Sequence, residues 1–504
     1  MILDGGPLTI EEIIAVARHG ERVVLSETAR ERVARCRRTV EDVLKRGSKA
    51  YGINTGFGKL CDVSIPPDKV EVLQENLIRS HSCGLGDPLS EEEVRAAMLL
   101  RANALARGMS GVRVEVVEKL LELLNHRVTP VVPSRGSVGA SGDLAPLSHI
   151  ALVLMGEGEA WVNGMRMPGS EALKRCGIVP LKLSAKEGLA LINGVQVSAG
   201  ILALTVGDAA CLADAADIIA ALSAQALDVI PDAFDDGLVS ARPYPGARTV
   251  AAHMRALLEG SGLTSRPGET HMQDAYSLRC IPQVHGAVRD AIDYARRTLE
   301  IESGSSTDNP LILEDGRVIS GGNFHGQPVA FAADFLSMGL TTLMNISERR
   351  IARMLNSDES RLPAFLAKDS GLESGYMLLQ YTAASLCAEA RVLSSPASVQ
   401  SIPTSANQED HVSMSATAAL KCRRILDHLV HVLAIEYLVA CQALEYRGPD
   451  KLAPLSKRAY NKLRERVMPL DGDRNPGPDI AEARKIIVSG ELFRALQAGC
   501  ENWC

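Results

Sequence analysis

The sequence predicts a mainly α protein: a bundle of long helices, joined to a mixed N-terminal domain and carrying a few short hairpins. Three observations carry that reading. Aromatic residues make up only 4% of the chain while Ala and Leu dominate, a balance that favours helices over sheets. Apolar residues recur at helical spacing over runs far longer than the average globular helix. Strand signals are few and short.

The elements follow in order along the chain. Thr9 precedes Glu11, Glu12 and an apolar run, the pattern of an N-cap followed by acidic first-turn residues. Residues 90–107 begin Ser-Glu-Glu-Glu-Val, a second capping pattern, and stop before Gly108. Trp161-Val162-Asn163-Gly164-Met165-Arg166 and Ile312 to Val318 each place an Asn-Gly or Asp-Gly turn between apolar residues, as hairpins do. The stretch after Gln327, residues 376–393 and residues 413–446 read as long helices. The last carries Leu426, Leu429, Val430, Leu433 and Tyr437 on one face. Such helices stabilise one another by packing in a bundle. No internal repeat interrupts the chain. Near residue 200 mixed loop-and-helix sequence gives way to long helices, so the expected division is 1–200 and 201–504.

With 504 residues, 46% of them hydrophobic and 23% charged, the chain can bury a large core. Its net charge of −7 is spread over interspersed residues, which argues against a nucleic-acid or anionic-membrane partner. The first residues, Met1 to Gly6, lack a basic region and a long apolar region, so no signal peptide is expected. The most apolar stretch, 197–230, is broken by Asp208, Asp214 and Asp217 and suits a helix buried among helices, not a membrane span. Eleven cysteines without a Cys-x-x-Cys pair fit free thiols in the cytoplasm. Cys500 and Cys504 read as tail thiols.

The most informative run is Ala140-Ser141-Gly142. Three small residues let a backbone nitrogen approach a backbone carbonyl closely. Attack of the Gly142 nitrogen on the Ala140 carbonyl, with loss of two waters, would strip the Ser141 hydroxyl. The product is a five-membered ring bearing an exocyclic methylene, an electrophile no ordinary side chain supplies. Alone, the tripeptide reads equally as a small-residue turn. Other polar, loop-like segments accompany it: Tyr51 to Gly58, Ser80-His81, Asn193 to Gln196, Gln273 to Cys280, Ser306 to Pro310, Gly321 to Gly326 and Ser405 to His411.

In this order, these motifs resemble the aromatic amino-acid ammonia-lyases that form a methylidene-imidazolone (MIO) group from Ala-Ser-Gly. Ser80-His81, Met377 and Glu409 match the histidine-acting branch of that family, the histidases. The resemblance runs over nearly the whole chain. It implies a histidase/fumarase-like helical fold with an MIO-bearing N-terminal domain, in a homotetramer whose active sites are shared between subunits. It also implies elimination of ammonia from L-histidine to trans-urocanate, the entry step of histidine degradation. MIO would form autocatalytically from Ala140, Ser141 and Gly142, with no metal and no diffusible cofactor. Three departures stand out: Ala388-Glu389-Ala390-Arg391 for the usual Ser-Glu-Asn-Lys, Gly304 for Asn, and Val195 for Thr.

The resemblance assigns each residue a task, and physical chemistry says what the task requires. Tyr51 is the candidate base for the β-proton, which requires a cationic or hydrogen-bonded setting to lower its pKa. Its plainer role is to buttress a glycine-rich loop. Arg279 suits the substrate carboxylate because its planar fork matches two oxygens. Gln273 and Tyr276 stand beside it, Tyr276 in the catalytic set. Asn193 and Asn309 are expected to donate to the carboxylate or the ring, with Asn193 also supporting MIO. His81 and Glu409 hold the imidazole, Met377 flanks it, and Phe324 packs on substrate or ring. Asp143 assists cyclisation or caps the helix beginning at Leu144. The electrophile could add to the amine or attack the imidazole ring, and the sequence leaves both open. Helix N-termini aimed at the ring would raise its electrophilicity.

Other readings are weighed against this one. His428 and His431, three apart in a helix, have chelating spacing but no evident third ligand, so packing is expected there and no catalytic metal. An aminomutase would share the core residues, yet Ser80, His81 and Glu409 favour an imidazole lyase. A lyase for a modified histidine conflicts with Met377. A helical scaffold without catalysis conflicts with intact Ala140-Ser141-Gly142, Tyr51 and Arg279.

Overall fold

The computed structural model describes residues 1–47 and 49–497. Cys500 and Cys504 lie outside the described residues. The chain divides into two compact units that are not consecutive in sequence. The first comprises Met1–Gly207, Ala295–Asp334 and Pro396–Arg423, and the second the remaining segments. The division expected at 200 falls near the first crossing. The two later returns of the chain to the first unit have no counterpart in it.

In the first unit the capping residues act as their chemistry predicts. Thr9 and Glu12 form a reciprocal capping box on helix Ile10–Ala17, and Ser90 and Glu93 do the same for Glu91–Ala106. Strand Glu159–Val162 pairs antiparallel with Met165–Pro168 on one side and Val128–Pro130 on the other. Asn163 and Gly164 connect the hairpin with φ of 51° and 74°, the two left-handed residues that a tight hairpin turn requires. Ile312 pairs with Val318 in the second expected hairpin.

The departure at Gly304 has a steric reason. A Cβ there would stand 2.6 Å from the Pro7 nitrogen, so an asparagine could not enter without moving the N-terminal segment. Cys36, Val40, Ile53, Val70, Ala185 and Ile312 form a local core beneath the loop that carries Tyr51.

The long helices are Gln196–Ala226, Ile281–Ser303, Gln327–Leu355 and Ser415–Arg447, and the unit boundary falls within each of them. Alanines buried along Gln196–Ala226, such as Ala203, Ala216, Ala220 and Ala224, leave room for close helix neighbours. Windows in three of these helices are apolar and long enough to cross a membrane, that of Gln196–Ala226 included despite its aspartates. Their apolar surface is spent inside the protein: 72%, 67% and 83% of the three windows are buried.

The second unit is tied by a buried polar network. Asp217 accepts hydrogen bonds from His285 at 2.7 Å and Arg289 at 2.6 Å, and its other neighbour His253 stands at 2.9 Å. Arg350 makes a two-pronged contact with Glu436, at 2.5 and 3.0 Å. Burial would raise the Asp217 pKa, but Arg289, His253 and His285 hold the carboxyl far below the usual carboxylate range.

Candidate active site

Ala140-Ser141-Gly142 lies between strand Pro133–Arg135 and helix Leu144–Leu154. Gly142 is bridged in parallel to Gly194, and the Asp143 N–H donates to the Gly194 carbonyl at 2.7 Å. With φ of 74°, Gly142 occupies the left-handed region, and a Cβ on it would lie 2.2 Å from the Gly194 oxygen. Only glycine fits. The tripeptide immediately precedes one helix, and its bridge partner sits two residues before Gln196–Ala226, so two helix N-termini bear on it.

Asp143 departs from the expected cap. It stands at the N-cap position of Leu144–Leu154 yet makes no side-chain bond to that helix. Its carboxylate instead accepts from the Ser198 N–H at 2.7 Å, the Ser198 hydroxyl at 2.8 Å and the Ser137 hydroxyl at 3.0 Å. It therefore caps the first turn of Gln196–Ala226 and ties that helix to the loop. Complete burial pushes its pKa up, partly offset by the Ser198 donors.

A cavity of about 1270 Å³ opens over Ala140 and Ser141 within the first unit. Its walls include Tyr51, His81, Asn193, Asn309, Phe324 and Glu409, which thus converge from segments far apart in sequence. The Ser141 hydroxyl donates to Glu409 Oε1 at 3.2 Å, and Thr404 donates to Oε2 at 2.7 Å. Glu409 is presented by a tight turn in which Ser405, Ala406 and Asn407 all have positive φ, closed by backbone pairing between Thr404 and Glu409. Three non-glycine residues in that region cost on the order of 1–2 kcal/mol each, a strain that the surrounding fold must over-determine.

His81 has a defined tautomer. The Ser80 hydroxyl donates its one hydrogen to the Leu77 carbonyl at 3.1 Å, so the His81 Nδ1–H donates to Ser80 at 3.0 Å. Nε2 is left as an acceptor. Burial lowers the His81 pKa and keeps the ring neutral.

Two expectations change at Tyr51 and Asn193. The Gly58 N–H donates to the Tyr51 oxygen at 3.3 Å, but burial dominates, and Cys61, Glu409 and Asp308 add to it, so the phenol is pushed up. No cation stands among the groups that act most strongly on the phenol. The Asn193 amide NH2 is already engaged, donating to the Asn309 carbonyl at 3.1 Å and to Asp308 Oδ1 at 3.3 Å. What it keeps free is its buried Oδ1, an acceptor without a partner. Asn309 is the reverse: its Oδ1 accepts from Ser320 and Gly321, leaving its NH2 to donate.

Gln273, Tyr276, Arg279 and Met377 belong to the second unit and do not line this cavity. There, Asp274 accepts from the Ile230 N–H at 2.7 Å and contacts His271 at 2.8 Å, anchoring the segment. Arg279 stacks on the Tyr276 ring at 4.5 Å, and its buried Nε has no partner. Tyr276 is 71% exposed. His428 Nε2 lies 3.4 Å from Glu389, and among the described residues no group of three or more potential ligands could hold a metal ion.

Sequence reasoning missed the layer behind the cavity: Arg101, Lys186, Gln196, Thr307 and Asp308, all buried. Gln196, Thr307 and Asp308 stood in noted motifs; Arg101 and Lys186 carried no signal.

A helical fold with an Ala-Ser-Gly turn under a polar cavity defines a class, and comparison with known proteins agrees. Residues 8–465 match the family model for aromatic amino acid lyases, and the chain belongs to that family. It is 53% identical to the histidine ammonia-lyase of Symbiobacterium thermophilum over 98% of both chains. Among solved structures, the histidine ammonia-lyase of Trypanosoma cruzi is 40% identical with a TM-score of 0.92, covering 98% of this chain and 94% of that one. The tyrosine aminomutase of Streptomyces globisporus is also 40% identical, with a TM-score of 0.96 and 99% coverage of both.

Proposed function

We propose that this protein is a histidine ammonia-lyase, converting L-histidine to trans-urocanate and ammonia. The observation that carries this is the pair of imidazole acceptors, His81 Nε2 and Glu409, in the same cavity as Ser141. The residues present fit an MIO ring built from Ala140, Ser141 and Gly142. Gly142 has no room for a side chain, and the two helix N-termini at the loop suit the negative charge that would develop on the ring oxygen. When formed, the group supplies an electrophilic methylidene that withdraws electrons from the substrate, through its amine or its ring, and so acidifies the β-proton.

The chain's own residues do the rest. Tyr51 takes the β-proton, Glu409 and His81 hold the imidazole, and Asn309 donates to the substrate carboxylate or the ring. Phe324 packs against the bound substrate. Arg279 clamps the carboxylate, with Gln273, Tyr276 and Met377 around it. These four reach the cavity from neighbouring copies in a homotetramer. Two features support that assembly. The Arg279 Nε is buried without a partner, and Leu378 and Tyr381 expose 57% and 63% of their surface on one helix face. A partner's arginine would also be the cation that Tyr51 lacks. The free cysteines among the described residues and the burial of the apolar helices support a cytoplasmic enzyme without a membrane partner, and the net charge of −7 speaks against a nucleic-acid one.

The test is direct. The purified protein incubated with L-histidine should show the rising ultraviolet absorbance of a conjugated acid. Intact mass should be lower than the encoded chain by two waters, and Ser141→Ala should abolish both signals. Turnover of tyrosine with silence towards histidine would overturn the substrate. An active Ser141→Ala would overturn the electrophile.

A further inference from the structure

We propose that the buried ion pair Lys186–Asp308 is a positioning device that sets the amide wall of the cavity, Asn193 and Asn309. The inference rests on reading that cavity as the lyase site. Both side chains are wholly buried, with Lys186 Nζ 2.5 Å from Asp308 Oδ2. The other Asp308 oxygen accepts two hydrogen bonds: from the Asn309 backbone N–H at 2.7 Å and from the Asn193 amide at 3.3 Å. Asn193 in turn donates to the Asn309 carbonyl at 3.1 Å. One carboxylate thereby fixes both asparagines, one through its side chain and one through its backbone.

The lysine is held in place at a cost. Its φ of 74° lies in a region that L-residues rarely adopt. Both flanks are clamped by arginines. Arg37 donates to the Ala185 carbonyl at 2.8 Å and to the Ser184 hydroxyl at 3.0 Å, while Arg113 grips Glu187 at 2.8 Å through each of two nitrogens. Arg101, also buried, donates to the Asn193 carbonyl and to Gln196 Oε1, both at 2.8 Å, fixing the same asparagine from its backbone side.

A buried ion pair adds little stability over a well-packed apolar pair, so stability alone does not account for one assembled under backbone strain. Position does. The Asn193 NH2 is turned away from the cavity towards Asp308, and this orientation leaves its Oδ1 unpartnered on the other side. Without the carboxylate, the Asn193 NH2 keeps only the Asn309 carbonyl of the two acceptors that fix its orientation, and the Asn309 backbone loses its own tie.

The experiment compares the full-length protein with the double variant Lys186→Met/Asp308→Asn, which removes both charges of the pair and so leaves the net charge of the buried cluster with Arg101 unchanged. The polar double variant Lys186→Gln/Asp308→Asn serves if the first does not fold. A positioning role predicts a melting temperature close to that of the parent, an unchanged loss of two waters and a kcat for L-histidine lower by at least tenfold, with KM less affected. A crystal structure of the variant should show the Asn193 amide reoriented. Undisplaced asparagines, or a kcat within threefold of the parent, would overturn the proposal. If the parent itself fails to turn over L-histidine, the substrate reading falls, while the asparagine positions still decide this one.

Discussion

At the residue scale, two acceptors of the cavity, His81 and Glu409, suit an imidazole. Ser80 fixes the His81 proton on Nδ1, so Nε2 can only accept, and the Glu409 carboxylate accepts as well. An imidazole in its protonated form offers an N–H to each. A phenyl ring offers none and would leave His81 Nε2 and Glu409 Oε1 without a donor from the substrate, which disfavours it. Glu409→Gln turns one acceptor into an amide. Loss of a hydrogen bond to a charged group is worth about 1.5–3 kcal/mol, so kcat/KM for L-histidine should fall by roughly 10- to 100-fold. His81→Leu should lower it for histidine but not for phenylalanine. Equal losses on both substrates in steady-state kinetics would rule out imidazole recognition. Both members of the pair stood in motifs through which the chain resembles the histidases, and the fold brings them to one cavity. Lys186 was not legible in the sequence. Nothing in Ser184-Ala185-Lys186-Glu187 marks a lysine for burial, and only the fold brings Asp308 to it.

At the scale of elements, the same contrast holds for a physical reason. Helix starts at Thr9 and Ser90 and the Asn163-Gly164 turn were readable because the groups that satisfy each other lie within four residues. The cap on Gln196–Ala226 was not, because its acceptor, Asp143, comes from another segment. That long-range cap couples helix packing to the reactive loop. Asp143→Ala leaves the Ser198 N–H and two hydroxyls without their charged acceptor. It should cost about 1–3 kcal/mol, seen as a lower melting temperature. Because the loop then loses its anchor beside Gly142, ring formation should slow, and intact mass should resolve a mixture of cyclised and uncyclised chains. A variant with the parental melting temperature and complete water loss would show that Asp143 serves neither role.

At the scale of the whole molecule, the chemistry is divided between two units. The first holds Ala140-Ser141-Gly142, Tyr51, His81 and Glu409, and the second holds Arg279 with Tyr276. The return of residues 295–334 and 396–423 to the first unit could not be read from periodicity, since non-local packing decides where a long chain re-enters a unit. If the arginine is delivered by a second copy, defects in the two halves should complement each other. Ser141→Ala and Arg279→Ala chains should each be inactive as pure assemblies. Co-expressed and randomly mixed, about a quarter of sites would pair an intact Ser141 from one copy with an intact Arg279 from another. Activity of the mixture should therefore rise well above that of either variant, to roughly that fraction of the parent. If each site were built within one chain, every site in the mixture would carry one defect and the mixture would stay silent. A silent mixture of correctly assembled chains would thus place Arg279 and Ser141 in the same copy and remove the reason for sharing sites between subunits.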